Sequence, residues 1–201
     1  MNGNVDRART IAGLALVGVG IVSTLGIVTA EALYPGYSTA EETISALGAS
    51  IGPAGLVQPS ATIFNGAMIL SGLLTLVAAY GIDRVYDHRW LTAVVALSGL
   101  GVAGVGIFPA DQPAPHFVAA FLAFGAGGLS AIAAAVVVRR PFSYLSAGLG
   151  VVSLGGLVLF VALGGSTPLG IGGLERWITY PTQIWVTAFG GYLLGTGDHE
   201  P

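Results

Sequence analysis

Long apolar runs, separated by short polar segments, are the dominant pattern in this sequence. The runs cover about residues 11–30, 60–82, 90–108, 117–138, 142–163 and 181–196. A helix of about 20 apolar residues is long enough to cross the hydrocarbon core of a bilayer. The pattern therefore predicts an all-α polytopic membrane protein. Residues 1–201 would form one domain, a compact bundle of six transmembrane helices.

The first apolar run allows two interpretations. Arg7 and Arg9 precede it, and Val28-Thr29-Ala30 near its end resembles the cleavage site of a secretory signal peptide. The apolar region of a signal peptide has only about 7–15 residues, however, whereas this run has about 20. We therefore interpret the run as the first membrane helix.

The polar stretch after the first run contains the signals of a short helix. Thr39 and Glu42 have the spacing of a capping box, in which each side chain caps the other residue's backbone N–H. Ile44 and Leu47 would share one face of that helix, and Gly48 is a typical stop. We predict a short amphipathic helix at the membrane interface, beginning after Thr39.

A polar hairpin separates the third and fourth runs. It extends from Phe108 to His116 and contains three prolines, which prevent a continuous helix. Asp111 and His116 therefore lie where two predicted membrane helices meet.

Composition supports the membrane assignment and excludes several classes of function. Hydrophobic residues make up 54% of the chain and charged residues 8%, whereas a soluble domain has about 25% charged residues. The absence of cysteine excludes disulfides, thiolate catalysis and cysteine-based metal sites. No basic cluster is long enough to indicate nucleic-acid binding.

Arginine placement predicts the orientation. In a six-span protein, all but one of the 7 basic residues fall on one side: Arg7, Arg9, Arg84, Arg89, Arg139 and Arg140. Arg176 falls on the other side. The positive-inside rule puts the larger group in the cytoplasm. We predict a multi-pass protein of the cell membrane with both termini cytoplasmic.

Small residues spaced four apart recur in the runs. Gly191 and Gly195 form a GxxxG motif, and Ser146 and Gly150 form a similar pair. Helices in lipid associate through such close contacts. We expect these positions to pack within the bundle rather than in a dimer interface.

Ionisable residues are absent from the middle of every predicted span. Proton relays, pumps and voltage sensors normally need such groups inside the membrane, so a secondary transporter is disfavoured. Asn65 is a side-chain amide well inside the second span, and we expect it to hydrogen-bond across helices rather than bind a substrate.

Candidate functional residues gather on the predicted outer side. They are Asp111, His116, Glu175, Arg176, Glu41 and Glu42, with Asn65 nearby in the second span. His116 with Asp111 or Glu175 could act as an acid–base pair on a lipid headgroup. A histidine with carboxylates could also bind a divalent metal, but one histidine without repeated ligand spacing does not predict a metal site. Ion pairs that hold the loops together are the favoured interpretation.

Short segments spread over most of the chain resemble the prokaryotic membrane family known as domain of unknown function 998. They are Tyr37-Ser38 with Thr43–Ala49, Phe64-Asn65 with Gly72-Leu73-Leu74, Gly106–Asp111 with His116, and Gly173–Arg176 with Trp185. The resemblance implies a multi-spanning fold of about this size and supplies no activity. Most of the shared segments fall on the predicted outer face.

Two functional hypotheses follow. The first is a membrane protein that binds a lipid, a small ligand or a partner subunit at an outward-facing polar pocket. The alternative is a membrane-embedded hydrolase or transferase that acts on lipid headgroups, with His116, Asp111 and Glu175 as the catalytic candidates. Expected partners are membrane lipids, with a partner membrane protein as an alternative and no nucleic acid. The sequence assigns no cofactor.

Overall fold

The computed structural model describes residues 2–49 and 55–196, and these residues form helices without any strand. The long helices are α1 (Asn2–Ala32), α2 (Ser60–Tyr86), α3 (Arg89–Ile107), α4 (Pro113–Ala134), α5 (Phe142–Leu163) and α6 (Gly170–Gly195). A short 3-10 helix occupies Ile44–Gly48. The all-α prediction is confirmed. Parts of the predicted first outer loop and the polar C-terminal tail lie outside the described residues.

Within the described residues, five helices, α1 to α5, are long and apolar enough to cross a membrane. The chain is therefore a multi-pass helical protein of the membrane type. α6 has 26 residues but lies outside this group. It carries Glu175, Arg176, Pro181 and Gln183, which lower its hydropathy.

Consecutive helices are neighbours, and the last returns to the first. Each of α1 to α5 packs against the next helix, and α6 packs against both α5 and α1. The six helices therefore form a closed ring. A ring of this size has an interior that side chains must fill.

Close helix contacts in this ring depend on small residues. A Cβ atom added at Gly190 would lie 2.7 Å from the Gly13 carbonyl oxygen, so α1 and α6 approach backbone to backbone there. The GxxxG motif of α6 is oriented differently, because no heavy atom of the described residues lies within 4 Å of a Cβ built at Gly191 or Gly195. The prediction that this motif packs inside the bundle is wrong.

Aromatic side chains fill the ring at the end that carries the arginine-rich loops. Trp185 stacks on Phe189 with ring centroids 5.3 Å apart, and Phe142 stacks on Tyr192 at 5.0 Å. The Tyr192 hydroxyl accepts the backbone N–H of Arg139 at 3.0 Å. This end of the bundle is closed by packed rings.

The short helix of the first loop begins later than its sequence signals predict. Its N-cap residue is Thr43, whose side chain makes no capping hydrogen bond, and most of the helix is buried. The predicted start after Thr39 is wrong. The physical reason is that the carbonyl groups of residues 39, 40 and 42 accept hydrogen bonds from α6 and are not used in a local helix.

Candidate functional site

Arg176 connects the loop between α1 and α2 to the last helix. Its Nη1 donates to the carbonyl oxygens of Thr39 at 2.8 Å and Gly172 at 2.9 Å. Its Nη2 donates to the Tyr37 hydroxyl at 2.9 Å and to the Glu31 carboxylate. The guanidinium is thus shared between α1, the loop and its own helix. Since Arg176 is only 9% exposed, these partners compensate the cost of burying its charge.

The loop that Arg176 holds also has internal bonds. The Glu42 carboxylate accepts the backbone N–H of Ser38 at 2.8 Å, and the Tyr37 hydroxyl donates to the Thr43 carbonyl at 2.8 Å. The Gly172 N–H donates to the Ala40 carbonyl at 2.9 Å. These bonds fix the loop over the end of the bundle opposite the arginine-rich loops.

Glu175 is the adjacent residue, and it faces the interior. It is 3% exposed, and its carboxylate accepts the backbone N–H of Ile44 at the start of the short helix. It lies in the first turns of α6, ahead of the predicted span 181–196. Burial raises the pKa of the Glu175 carboxyl to about 7. Hydrogen bonds from Ile44 and Ser45 and the charge of Arg176 act in the opposite direction.

A cavity of about 110 Å³ lies inside the ring, and Glu175 is one of the residues that line it. Val186 also lines it, and a rise of 1.5 Å per residue puts these two residues roughly 16 Å apart along α6. Most of the wall is apolar, but every helix except α5 contributes hydroxyl groups: Ser23, Ser71, Thr75, Ser98, Ser130 and Thr182. The cavity is therefore long, narrow and mildly polar.

His116 lines the same cavity from the first turn of α4. Its Nδ1 lies 2.8 Å from the carbonyl oxygen of Phe108. Because a carbonyl only accepts, Nδ1 carries the proton in this bond, and in the Nδ1–H tautomer Nε2 is the ring's acceptor. The structure thus brings two of the predicted catalytic candidates, Glu175 and His116, to one cavity.

The other predicted acids lie elsewhere. Asp111 is exposed on the hairpin, and no hydrogen bond or ion pair within residues 2–49 and 55–196 joins it to His116. Glu41 is exposed, and Glu42 is used in the loop. No group of three or more His, Asp or Glu that could hold a metal ion occurs among the residues described.

Asn65 makes a contact that supports the short helix. Its Nδ2 donates to the Gly48 carbonyl at 2.9 Å. The bond therefore reaches the loop rather than a neighbouring membrane helix. Oδ1 of the same side chain is buried without a partner among the described atoms.

Sequence reasoning missed Ser71, which is the most unusual polar group in the cavity wall. Ser71 is fully buried, and its Oγ has no hydrogen-bond partner within the described part of the chain. By contrast, Ser23, Thr75 and Ser130 each donate to the carbonyl four residues earlier, at 2.7 to 2.8 Å. A signal was present, since serine or threonine occurs in all six apolar runs, but this pattern does not indicate which hydroxyls share a cavity.

The family model for proteins of unknown function (DUF998) matches residues 15–192. The chain belongs to the DUF998 family. The matched range includes the whole polar cluster, the hairpin and the cavity-lining residues, so the site lies within the family domain. No curated protein and no solved structure matches the chain.

Proposed function

We propose that this DUF998 protein crosses the membrane six times, with both termini in the cytoplasm, and binds a small amphipathic ligand in its central cavity. The carrying observation is that three polar groups line one cavity: the buried carboxyl of Glu175, the ring of His116, and the hydroxyl of Ser71, which has no partner among the described residues. Membrane lipids are the nearest source of such a ligand.

Two features support six spans. α6 closes the ring between α5 and α1, so it lies beside two helices that meet the requirements for spanning. Its most polar residues, Glu175 and Arg176, are buried against protein groups rather than against lipid. Both residues also precede the predicted span 181–196, so neither charge has to lie within the hydrocarbon core.

A groove on the outside of the bundle supports entry from the bilayer. It lies between α1 and α6 and shares Ile27 and Gln183 with the cavity. Thr24 Oγ1 donates to Gln183 Oε1 at 3.5 Å, a long and therefore weak bond. Movement of these two side chains would open the cavity toward lipid.

Trp185 allows a direct test of ligand binding. It lines the cavity and is 3% exposed, whereas Trp90 and Trp177 are exposed. A variant with Trp90→Phe and Trp177→Phe, in lipid nanodiscs, should lose Trp185 fluorescence when a single-chain amphiphile brominated near the chain end is added. Quenching should saturate.

The matched control keeps Trp177 as the single tryptophan, with Trp90→Phe and Trp185→Phe. Its exposed indole should report only the bulk concentration of bromine in the bilayer, so its quenching should rise without saturation. If Trp185 is not quenched beyond this control, ligand binding in the cavity is disproved.

The alternative function is an acid–base enzyme acting on lipid headgroups. One observation favours it, which is that His116 and Glu175 line the same cavity. Direct proton transfer needs a separation of about 3 Å or one bridging water. If the protein is such an enzyme, proteoliposomes that contain it should release lipid headgroups over time. The variants His116→Gln and Glu175→Gln should each abolish this release. Unchanged lipid composition, measured by mass spectrometry, would reject this alternative.

A further inference from the structure

The charges at the outer end of the cavity limit which headgroup it can accept. Arg176 is the nearby cation, and its Nη1 and Nη2 groups already donate to Glu31, Tyr37, Thr39, Glu42 and Gly172. The described residues that line the cavity include no arginine. Nε of Arg176 has no partner among the described atoms, but Arg176 does not line the cavity. A phosphate or carboxylate inside the cavity would therefore meet no arginine donor of the described residues.

Acceptors, in contrast, are available there. Glu175 supplies a carboxyl group, and the Nδ1 bond of His116 to Phe108 leaves Nε2 as an acceptor. An anionic headgroup beside a buried carboxylate would be repelled, whereas a donor would be attracted.

Away from Glu175 and His116, the cavity wall suits an apolar chain that carries few polar atoms. The hydroxyls of Ser23, Thr75 and Ser130 donate to carbonyls of their own helices, which leaves mainly a hydrocarbon-like surface. Ser71 is the exception, because its buried Oγ is unpaired among the described residues. Leaving a hydroxyl unpaired costs free energy, so an occupant with a polar atom at that depth, or a water beside it, would be stabilised.

We infer that the cavity selects single-chain amphiphiles with a protonated amine headgroup, which would pair with Glu175 and donate to His116 while the chain extends toward Trp185. This inference rests on the proposed function, because it specifies the ligand of the same cavity. A cavity of about 150 Å³ holds one benzene, so the volume of about 110 Å³ holds the headgroup and only the first few methylene groups of one chain. The rest of that chain would lie in the groove between α1 and α6, and a two-chain lipid would not fit.

The test compares brominated primary amine, alcohol and carboxylic acid amphiphiles of equal chain length at pH 8, in nanodiscs containing the single-Trp185 protein. Concentrations are expressed per lipid, so that partitioning into the bilayer does not influence the comparison. The amine should reach half-maximal quenching at a concentration about tenfold or more below that of the carboxylic acid. Glu175→Gln should reduce this preference to within about twofold, since the amide keeps an acceptor for the Ile44 N–H but carries no charge.

Glu41→Gln is the matched control. Glu41 is an exposed acid of the same loop that does not line the cavity, so its variant should keep the full preference for the amine. Equal quenching by all three amphiphiles would overturn the amine inference while leaving cavity binding intact. Saturable quenching by none of them would overturn the proposed function itself. The wild-type comparison remains decisive if Glu175→Gln does not fold.

Discussion

Arg176 illustrates how a buried charge can have a structural role. Its two Nη atoms make five hydrogen bonds, four of them to neutral oxygen atoms and one to the Glu31 carboxylate. A planar guanidinium can direct donors to several fixed acceptors at once, whereas an ammonium group cannot reproduce that geometry. The residue therefore determines where the first loop lies.

Arg176→Lys should lower the free energy of unfolding by roughly 2 kcal/mol or more, because several buried acceptors lose their donor. The matched control is Arg89→Lys, at an exposed arginine on the opposite end of the bundle, which should change stability by less than about 0.5 kcal/mol. Thermal unfolding in detergent measures both. Equal melting temperatures for the two variants would contradict the structural role.

Glu175 should make stability depend on pH. Its folded-state pKa of about 7 lies above the ordinary value of 4.5, so the folded protein favours the protonated carboxyl. The resulting stabilisation is complete below pH 4.5 and is lost as pH rises through 7. Over that range it amounts to about 3 kcal/mol at most.

The Glu175→Gln variant cannot ionise at this position, so its melting temperature should fall less than that of the wild type between pH 5 and pH 8. The difference between the two melting-temperature curves gives the contribution of Glu175 alone, because Glu31, His116 and the nearby tyrosines are present in both proteins. Parallel curves for wild type and variant would show that this carboxyl does not titrate in the range.

The contact between the first loop and α6 depends on a glycine in the first turn of that helix. A Cβ atom at Gly172 would overlap the Glu42 carbonyl oxygen and lie 2.6 Å from that of Thr39. These are backbone atoms, which cannot move without displacing the loop. A position without space for a methyl group thus complements the hydrogen bonds of Arg176.

Gly172→Ala should therefore destabilise the protein by about 2 kcal/mol or more, through overpacking. Gly191→Ala provides the comparison within the same helix, because space is open there and alanine favours a helix by about 1 kcal/mol over glycine. We expect the two variants to shift the melting temperature in opposite directions. A shift of the same sign in both would contradict this description of the loop contact.

The helix signals in the first loop were correct in kind and wrong in position. The spacing of Thr39 and Glu42 fits a capping box, and a short helix does follow. That helix covers Ile44–Gly48, however, and does not begin after Thr39. Local spacing could not anticipate this start, because the carbonyls of the preceding segment are taken by donors on α6, more than 130 residues later. Tertiary hydrogen bonds here override a local preference.

At the scale of the whole molecule, the number of spans determines on which sides the termini lie. Six spans put both termini on one side, whereas five would put them on opposite sides. The ring closure by α6 and the asymmetric distribution of arginines favour six.

Because the chain has no cysteine, single-cysteine variants can test this topology. Asp111→Cys, on the exposed hairpin, should react in intact cells with an impermeant thiol reagent. Asp87→Cys, in the loop at the other end of α2, should react only after the membrane is permeabilised. Adding a cysteine at each terminus should give the same protection as Asp87→Cys. Labelling of either terminus in intact cells would contradict the six-span topology.

The sequence by itself determined that most of the protein is suited to a lipid environment and that its secondary structure is helical. Apolar runs of about 20 residues require helices in lipid, since every backbone polar group must be bonded within its own segment. It also identified Glu175, Arg176 and His116 as residues of interest. These inferences depend only on local composition and spacing.

Only the tertiary structure decided which of the polar residues meet. The sequence gives no reason to separate Glu175, His116 and Asp111 as candidates. The helix ring brings the first two to one cavity and leaves Asp111 exposed. It also separates the roles of two neighbours, because successive residues of a helix point about 100° apart. Arg176 therefore holds the loop while Glu175 faces the interior, and no local pattern contains the distances between helices that determine such a difference.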